Sequence, residues 1–202
     1  KKADLAIFVG GLDATWEGEE MPGGINVEGF YNGDRTTIEL PKIQQNAIKS
    51  MVDTGTPVVL ILMAGSSIAL NGIEKDLEAI LMAWYPGQRG GDAIARVLLG
   101  DYNPSGKLPI TFYKSTSELP DFKDYNMRAG NGFTYRYYNG EPLYPFGHGL
   151  SYSDFEYSNL KIDKDIVNNY ENFKVSFKIK NVGIYNGDEV VQVYIKDLKS
   201  NM

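Results

Sequence analysis

Two different hydrophobic periods run along this chain. Between residues 3 and 116 the apolar residues fall in short unbroken runs, separated by stretches with helical spacing; from Tyr157 onward they alternate with polar ones. The runs are Leu5-Ala6-Ile7-Phe8-Val9, Pro57–Met63 and Leu77–Trp84, the last unbroken from Ala79 to Trp84. Runs of this length without alternation predict strands buried on both faces, as in a parallel sheet. Pro41–Thr54 predicts a helix. Pro41 occupies the first turn, where a missing N–H costs nothing. Ile43, Ala47, Ile48, Met51 and Val52 share a face, and Gly55 ends the pattern. Gly91–Leu99 predicts a shorter helix, with Asp92 in its first turn, Ile94, Val97 and Leu98 facing inward, and Gly100 as the stop. A last strand is expected at Lys107–Tyr113, entered through the turn Asn103-Pro104-Ser105-Gly106. The fold class that follows is α/β: an open layered α/β sandwich, flavodoxin-like, with a mostly parallel sheet.

The pattern breaks after residue 116. Pro120, Pro142 and Pro145, the tyrosines at 125, 135, 137, 138, 144 and 152, and glycines at 130, 132, 140, 147 and 149 predict an extended, aromatic-rich strap. Such a strap packs on another surface, because its rings gain by leaving water. Beyond it, Phe173, Val175, Phe177 and Ile179 alternate with Lys174, Ser176, Lys178 and Lys180, and Val191, Val193 and Ile195 repeat the pattern. Period two marks half-buried antiparallel strands, here too few to close a β-sandwich. Three regions result: 1–116 as the α/β sandwich domain, 117–155 as the strap, and 156–202 as a truncated antiparallel β-sandwich.

Composition narrows the chemistry. The longest apolar run, Val58–Ala64, is far short of the roughly 18–20 residues that cross a bilayer, so no membrane span is expected. A net charge of −6 lacks the basic footprint that nucleic acid requires. The chain has no cysteine and one histidine, His148, which excludes disulfides and thiolate metal sites and leaves little room for a Ser-His-Asp triad. No metal or other cofactor is expected. Lys1-Lys2-Ala3-Asp4 runs directly into a strand pattern with no initiator Met, and Lys199-Ser200-Asn201-Met202 follows a strand with nothing to close it. Both features suggest a piece of a longer chain.

In open α/β sheets, ligands bind beyond the carboxyl ends of the strands. That rule points to the long loop Gly10–Leu40 after the first run. It carries Asp13, Glu17, Glu19, Glu20, Glu28, Asp34, Arg35 and Glu39, interleaved with Trp16, Phe30 and Tyr31. Carboxylates bind sugar hydroxyls, rings cover sugar faces, and a partly desolvated Glu acquires the raised pKa of a general acid. A solvated acidic loop would show the same composition. Gly87–Gly91, ahead of a helix, lacks the spacing and Lys of a P-loop, so it reads as close packing rather than a phosphate cradle. Asp92 reads as a helix-end charge and His148 as part of the packed strap.

Longer motifs add a resemblance. Gly11-Leu12-Asp13, Glu17-Gly18-Glu19, Gly33-Asp34-Arg35 and Leu40-Pro41 resemble the C-terminal part of glycoside hydrolase family 3. So do the runs Ala83–Gly91 and Leu99–Pro109. Thr134-Tyr135-Arg136-Tyr137 and the run Pro142–Tyr152 are similar to that family's link into a fibronectin type III-like domain. The resemblance covers essentially the whole chain.

It implies an enzyme of the β-glucosidase and β-xylosidase type, a retaining exo-acting hydrolase of terminal non-reducing sugars. Its nucleophilic Asp would lie on an N-terminal barrel outside this sequence, and its acid/base Glu on the loop after the first strand. Gly18-Glu19 fits the acid/base segment best, with Asp34-Arg35 as the downstream pair. Glu20 stands where glycine is usual and remains a rival; Glu17 and Glu28 are weaker ones. Trp16, Asp34 and Arg35 are candidates for substrate binding, Trp16 equally as a loop anchor packed on the sheet. The expected partners are an oligosaccharide or aryl β-glycoside and the enzyme's own barrel. Two other readings stay open: a non-catalytic carbohydrate-binding or docking module, and, from the layered pattern alone, a nucleotide or phosphate binder.

Overall fold

The computed structural model describes residues 3–18, 21, 23–168, 170–196 and 199. It divides into two compact units, one made of residues 1–94 and 108–148, the other of 95–107 and 149–202. The first is built on strands β1 (Ala6–Gly11), β4 (Val58–Met63) and β5 (Ala79–Met82), hydrogen-bonded in the order β1-β4-β5 and parallel throughout. The register runs from Ala6 opposite Val58 to Gly11 opposite Met63 on one side of β4, and from Val59 opposite Ala79 on the other. The mixed α/β architecture with a parallel sheet is the one the unbroken runs predict.

Burial differs across the sheet in a way those runs do not reveal. β4, the middle strand, is buried from Val58 to Leu62. Its neighbours are not buried on both faces: Ile7 and Val9 of β1 are 50% and 60% exposed. An edge strand keeps one row of partners and, here, one open face among the described residues. Apolar continuity therefore identified three strands but only one buried on both faces.

Helix α1 (Lys42–Val52) covers the other face, with Pro41 at its N-cap and Gly55 in the left-handed region after it. Its inward stripe is Gln44, Gln45, Ala47, Ile48, Met51 and Val52, spaced three and four apart. Ile43, expected inside, is 77% exposed, and Gln45 is buried in its stead. Each glutamine pairs with backbone: Gln45 Nε2 donates to Leu40 O at 2.5 Å, and Gln44 grips both polar groups of Gly11 at 2.7 Å. A side-chain amide that satisfies a backbone N–H and C=O together tolerates burial. The core beneath consists of Leu12, Phe30, Leu40, Ile48, Leu60, Leu62, Ile68 and Leu70.

The expected strand at 107–113 does not join this sheet. The segment pairs antiparallel with the strap instead: Leu108 N donates to His148 O at 2.8 Å, Gly147 N to Leu108 O at 2.7 Å, and Phe112 exchanges bonds with Tyr144. Pro109 has no N–H to offer a continuous ladder, which suits a bridge better than a strand interior. Rings of the strap meet residues before it, Tyr138 edge-on to Tyr113 at 5.0 Å and Tyr144 to Phe112 at 6.4 Å, and also one another. Tyr135 stacks on Phe146 at 4.5 Å, Tyr144 on His148 at 4.9 Å, and Arg128 lies 4.5 Å above Tyr137 beside the single-turn helix Thr134–Tyr137. Phe122 and Tyr125 are exceptions, 95% and 89% exposed.

Helix α2 spans Gly90–Leu98. The second unit holds an antiparallel pair, Phe155–Ile162 against Val175–Asn181, irregular between Ser158 and Lys161. The expected strand at 191–195 is not formed: Val191, Val193 and Ile195 are exposed and have no ladder among the described residues. A strand needs a partner for its N–H and C=O groups, and alternation in sequence supplies none.

Candidate active site

The loops at the carboxyl ends of the three parallel strands converge on one side chain, Glu17. The convergence begins at the end of β1. Gly11 adopts φ +121°, and a Cβ there would stand 1.9 Å from Met63 O, so only glycine lets the chain turn against β4 at this point. Asp13 then organises the next turn. Its carboxylate accepts from Thr15 N at 2.7 Å and from the Thr15 hydroxyl, which holds its pKa below the usual carboxylate value; its carbonyl accepts from Trp16 N and Glu17 N. An Asp capping its own turn in this way fixes the direction in which the following side chains leave.

Glu17 leaves that turn toward β4 and β5. Gly65 N, just past β4, donates to Glu17 Oε2 at 2.9 Å. The hydroxyls of Ser66 and of Tyr85, the latter just past β5, donate to Oε1 and Oε2 respectively. Arg35 Nη1 stands 3.6 Å from Oε1 and donates to Ser66 Oγ at 2.7 Å and Ser67 O at 3.0 Å. Gly65 leaves this approach open: a Cβ would come within 2.8 Å of the Tyr85 ring and 3.0 Å of Glu17 Oε2 and displace both side chains. Trp84, the residue before Tyr85, takes φ +55° and sets its ring edge-on to Phe112 at 6.3 Å. A bulky residue in the left-handed region is strained, and such strain concentrates where the fold must aim a side chain.

Arg35 arrives by a device the sequence carries plainly. Phe30–Tyr31 and Asp34–Arg35 form a two-stranded hairpin, β2 and β3, joined by Asn32-Gly33 with both φ values positive. Asn-Gly in that conformation is the tight turn that matches the strand twist. Alternation along the strand sends Arg35 inward and leaves Asp34 on the exposed side.

The electrostatics follow from this packing. Burial pushes the Glu17 carboxyl upward, but the bonds from Ser66, Tyr85 and Gly65 and the charge of Arg35 outweigh it, and its pKa lies below the ordinary value. Burial and the Glu17 carboxylate push the Tyr85 phenol well upward, so it remains a donor. Glu17 is thus a satisfied anion, and a carboxylate stabilised in its charged form is a poor proton donor. Glu39 is committed in a similar way. It accepts from Thr116 N at 2.8 Å and from the Thr116 hydroxyl at 2.5 Å.

The structure brings Trp16, Glu17 and Arg35 together. Trp16 is 37% exposed and meets the buried Phe30 edge-to-face at 5.7 Å, so one ring serves as an anchor and still shows a surface. Glu28 sits at the exposed turn before β2. Glu19 and Glu20, the two acid/base candidates, lie outside the described residues. The chain on either side of them is fastened: Glu17 as above, and Met21 by a 2.8 Å bond from its N–H to Asn32 O. Sequence reading missed Gly65, Ser66 and Tyr85. They stand one to three residues beyond predicted strands, and the carboxyl-end rule applied to every strand would have found them. Among the described residues no group of three acidic or histidine side chains is placed to hold a metal ion, and no helix is long and apolar enough to cross a membrane.

An α/β layer whose strand ends gather carboxylate, hydroxyl and guanidinium groups is one of the common frames for polar-ligand chemistry. Comparison with known proteins makes the assignment specific. Residues 1–152 match the model of the glycosyl hydrolase family 3 C-terminal domain, and the chain belongs to that family. It is similar to a xylan 1,4-β-xylosidase of Xylanibacter ruminicola, 46% identical over 98% of this chain and 22% of that protein. It is similar also to the thermostable β-glucosidase B of Acetivibrio thermocellus, 38% identical over 99% of this chain and 26% of that one. Among solved structures, a β-glucosidase from Listeria innocua in complex with glucose superposes with a TM-score of 0.74 at 30% identity, covering all of this chain and 28% of that one. The chain spans about a quarter of the length of the relatives it matches.

Proposed function

We propose that this chain is the C-terminal part of a retaining, exo-acting β-glycosidase, a β-glucosidase or β-xylosidase that hydrolyses terminal sugars of oligosaccharides and aryl β-glycosides. In this reading the α/β region, residues 1–116, supplies the acid/base carboxyl, Glu19 with Glu20 as its rival. The nucleophilic Asp belongs to an N-terminal barrel outside the sequence. The strap leads into the residues from 156 onward, the start of a fibronectin type III-like domain.

The observation that supports this most is the fastening of the acidic loop at the strand ends: Glu17 on one side and Met21 on the other flank the two acids. The same two carboxyls would serve both halves of the reaction. In the first, the Asp carboxylate attacks the anomeric carbon while the acid/base Glu gives its proton to the departing oxygen. In the second, the Glu takes a proton from water as that water attacks the same carbon and frees the Asp. Retention of configuration requires the two groups about 5–5.5 Å apart, a distance that a fastened loop can hold. Trp16 offers its exposed ring surface for a sugar face and Asp34 its carboxylate for hydroxyls; Arg35, already engaged with Ser66 and Ser67, contributes by shaping the loop.

The test is Glu19→Gln in the full-length enzyme. It is expected to slow hydrolysis of alkyl glycosides far more than of aryl glycosides with good leaving groups, with exogenous azide partly restoring turnover as a glycosyl azide. Equal losses on both substrate types without rescue would refute Glu19 and transfer the assignment to Glu20, tested the same way.

A further inference from the structure

Glu17 has the surroundings of an anchor. We propose that it is a positioning residue: its carboxylate pins the acid/base loop to the ends of β4 and β5, and so governs proton transfer without touching the sugar. The inference rests on the reading of Glu19 or Glu20 as the acid/base.

Four groups from three separate segments meet this one side chain. Gly65 N and the Ser66 hydroxyl come from the β4 end, the Tyr85 hydroxyl from the β5 end and Arg35 from the hairpin. Both oxygens are occupied, and the side chain retains 14% exposure. The anchor is specific in geometry, since a Cβ at Gly65 would press on the Tyr85 ring and on Glu17 Oε2, and Trp84 accepts a strained backbone beside Tyr85. On the other flank Met21 is held to Asn32, whose neighbour Gly33 makes the turn that delivers Arg35. The hairpin thus ties both flanks to the same cluster. A carboxyl that must protonate a leaving oxygen is sensitive to placement, and an error of about 1 Å costs on the order of a hundredfold in rate. Removing the anchor therefore affects the acid step first.

The experiment compares Glu17→Gln, Tyr85→Phe and Ser66→Ala in the full-length enzyme, with competent sites counted by a mechanism-based 2-fluoro glycoside. For Glu17→Gln, kcat/KM on alkyl glycosides is expected to fall about ten- to a hundredfold. On aryl glycosides with good leaving groups, whose departure needs little protonation, it should change less than about threefold. Azide should give no rescue, because the acid/base carboxylate is still present. Tyr85→Phe and Ser66→Ala should show the same leaving-group dependence to a smaller degree, which keeps the test decisive should Glu17→Gln fold poorly. A loss independent of the leaving group would overturn the proposal and reduce Glu17 to a structural role. Azide rescue of Glu17→Gln would overturn it in the other direction, making Glu17 the acid/base. If Glu19→Gln and Glu20→Gln both retain full activity on alkyl glycosides, the acid/base reading itself fails, an outcome legible apart from the Glu17 data.

Discussion

Among the described residues each unit has a polar hub, a side chain that gathers several segments, and the two are built on opposite principles. In the first, an ionised carboxylate, Glu17, gathers two hydroxyls, a backbone N–H and a guanidinium. In the second, a neutral amide, Asn103, does the gathering. Its Nδ2 donates to Ser153 Oγ and Asn186 O, both at 3.0 Å, and its Oδ1 accepts from Ser151 Oγ at 2.9 Å and Tyr152 N at 2.8 Å. All of its hydrogen-bonding capacity is directed at chain segments of its own unit, with Lys107 Nζ on Gly149 O at 2.7 Å beside it. A neutral hub holds its segments at any pH. A charged hub holds them only while ionised, and it stands at the strand ends where α/β folds place chemistry. The difference separates a clasp from a site.

The foundations under the hubs differ as well, and the largest expected effect lies there. Leu60 of β4, the strand that leads to the first hub, is fully buried; Ile179 of the antiparallel pair is 38% exposed. Leu60→Ala should cost about 2–5 kcal/mol, the usual penalty for a core cavity, and Ile179→Ala well under about 1.5 kcal/mol. Thermal unfolding of the full-length protein reads both; comparable losses would erase the distinction between the two sheets.

Asn103→Ala should follow, at about 1–3 kcal/mol, because it strands several partners at once. Its effect should be the same at pH 4 and pH 7. Next comes Gly65→Ala, which forces Tyr85 and Glu17 apart and is expected to cost about 1–3 kcal/mol. It should also reproduce the kinetic signature of Tyr85→Phe.

The pH response distinguishes the hubs most directly. The folded pKa of Glu17 lies below its unfolded value of about 4.3, so its contribution is complete above that value and declines as pH falls through the folded pKa. Wild type should therefore lose stability between about pH 4.3 and more acid conditions faster than Glu17→Gln does. Parallel acid limbs for the two proteins would show that the carboxylate does not hold the loop. The smallest effect belongs to Lys164–Glu171, a 2.6 Å ion pair on the exposed surface, whose removal should leave Tm unchanged within error at physiological salt.

Much of this arrangement is legible in the sequence, and particular residues show where legibility ends. The strands at Ala6–Gly11, Val58–Met63 and Ala79–Met82 and the helix at Lys42–Val52 follow from apolar runs, Pro41 and Gly55. The chemistry of the Gly10–Leu40 loop is apparent from its acids and rings. Asn32-Gly33 between Phe30-Tyr31 and Asp34-Arg35 is a hairpin signal that the sequence carries in full. Ile43 against Gln45 was not readable, because only the path of Leu40 and Gly11 makes a glutamine better inside than an isoleucine. The segments 107–113 and 191–195 carry strand patterns but no strand, since pairing is a property of two segments and a pattern belongs to one.

What the sequence determined by itself is therefore local and compositional: the change from unbroken runs to alternation, the glycines that permit left-handed turns, the supply of carboxylates, and the family motifs. Tertiary structure alone decided which carboxylate among several is an anchor. Glu17 differs from its neighbours in sequence by nothing that composition records. It differs because residues far along the chain, from Arg35 in the hairpin to Tyr85 beyond β5, bring two hydroxyls, an N–H and a guanidinium around one side chain. Long-range convergence fixes a charge, and no local pattern encodes it.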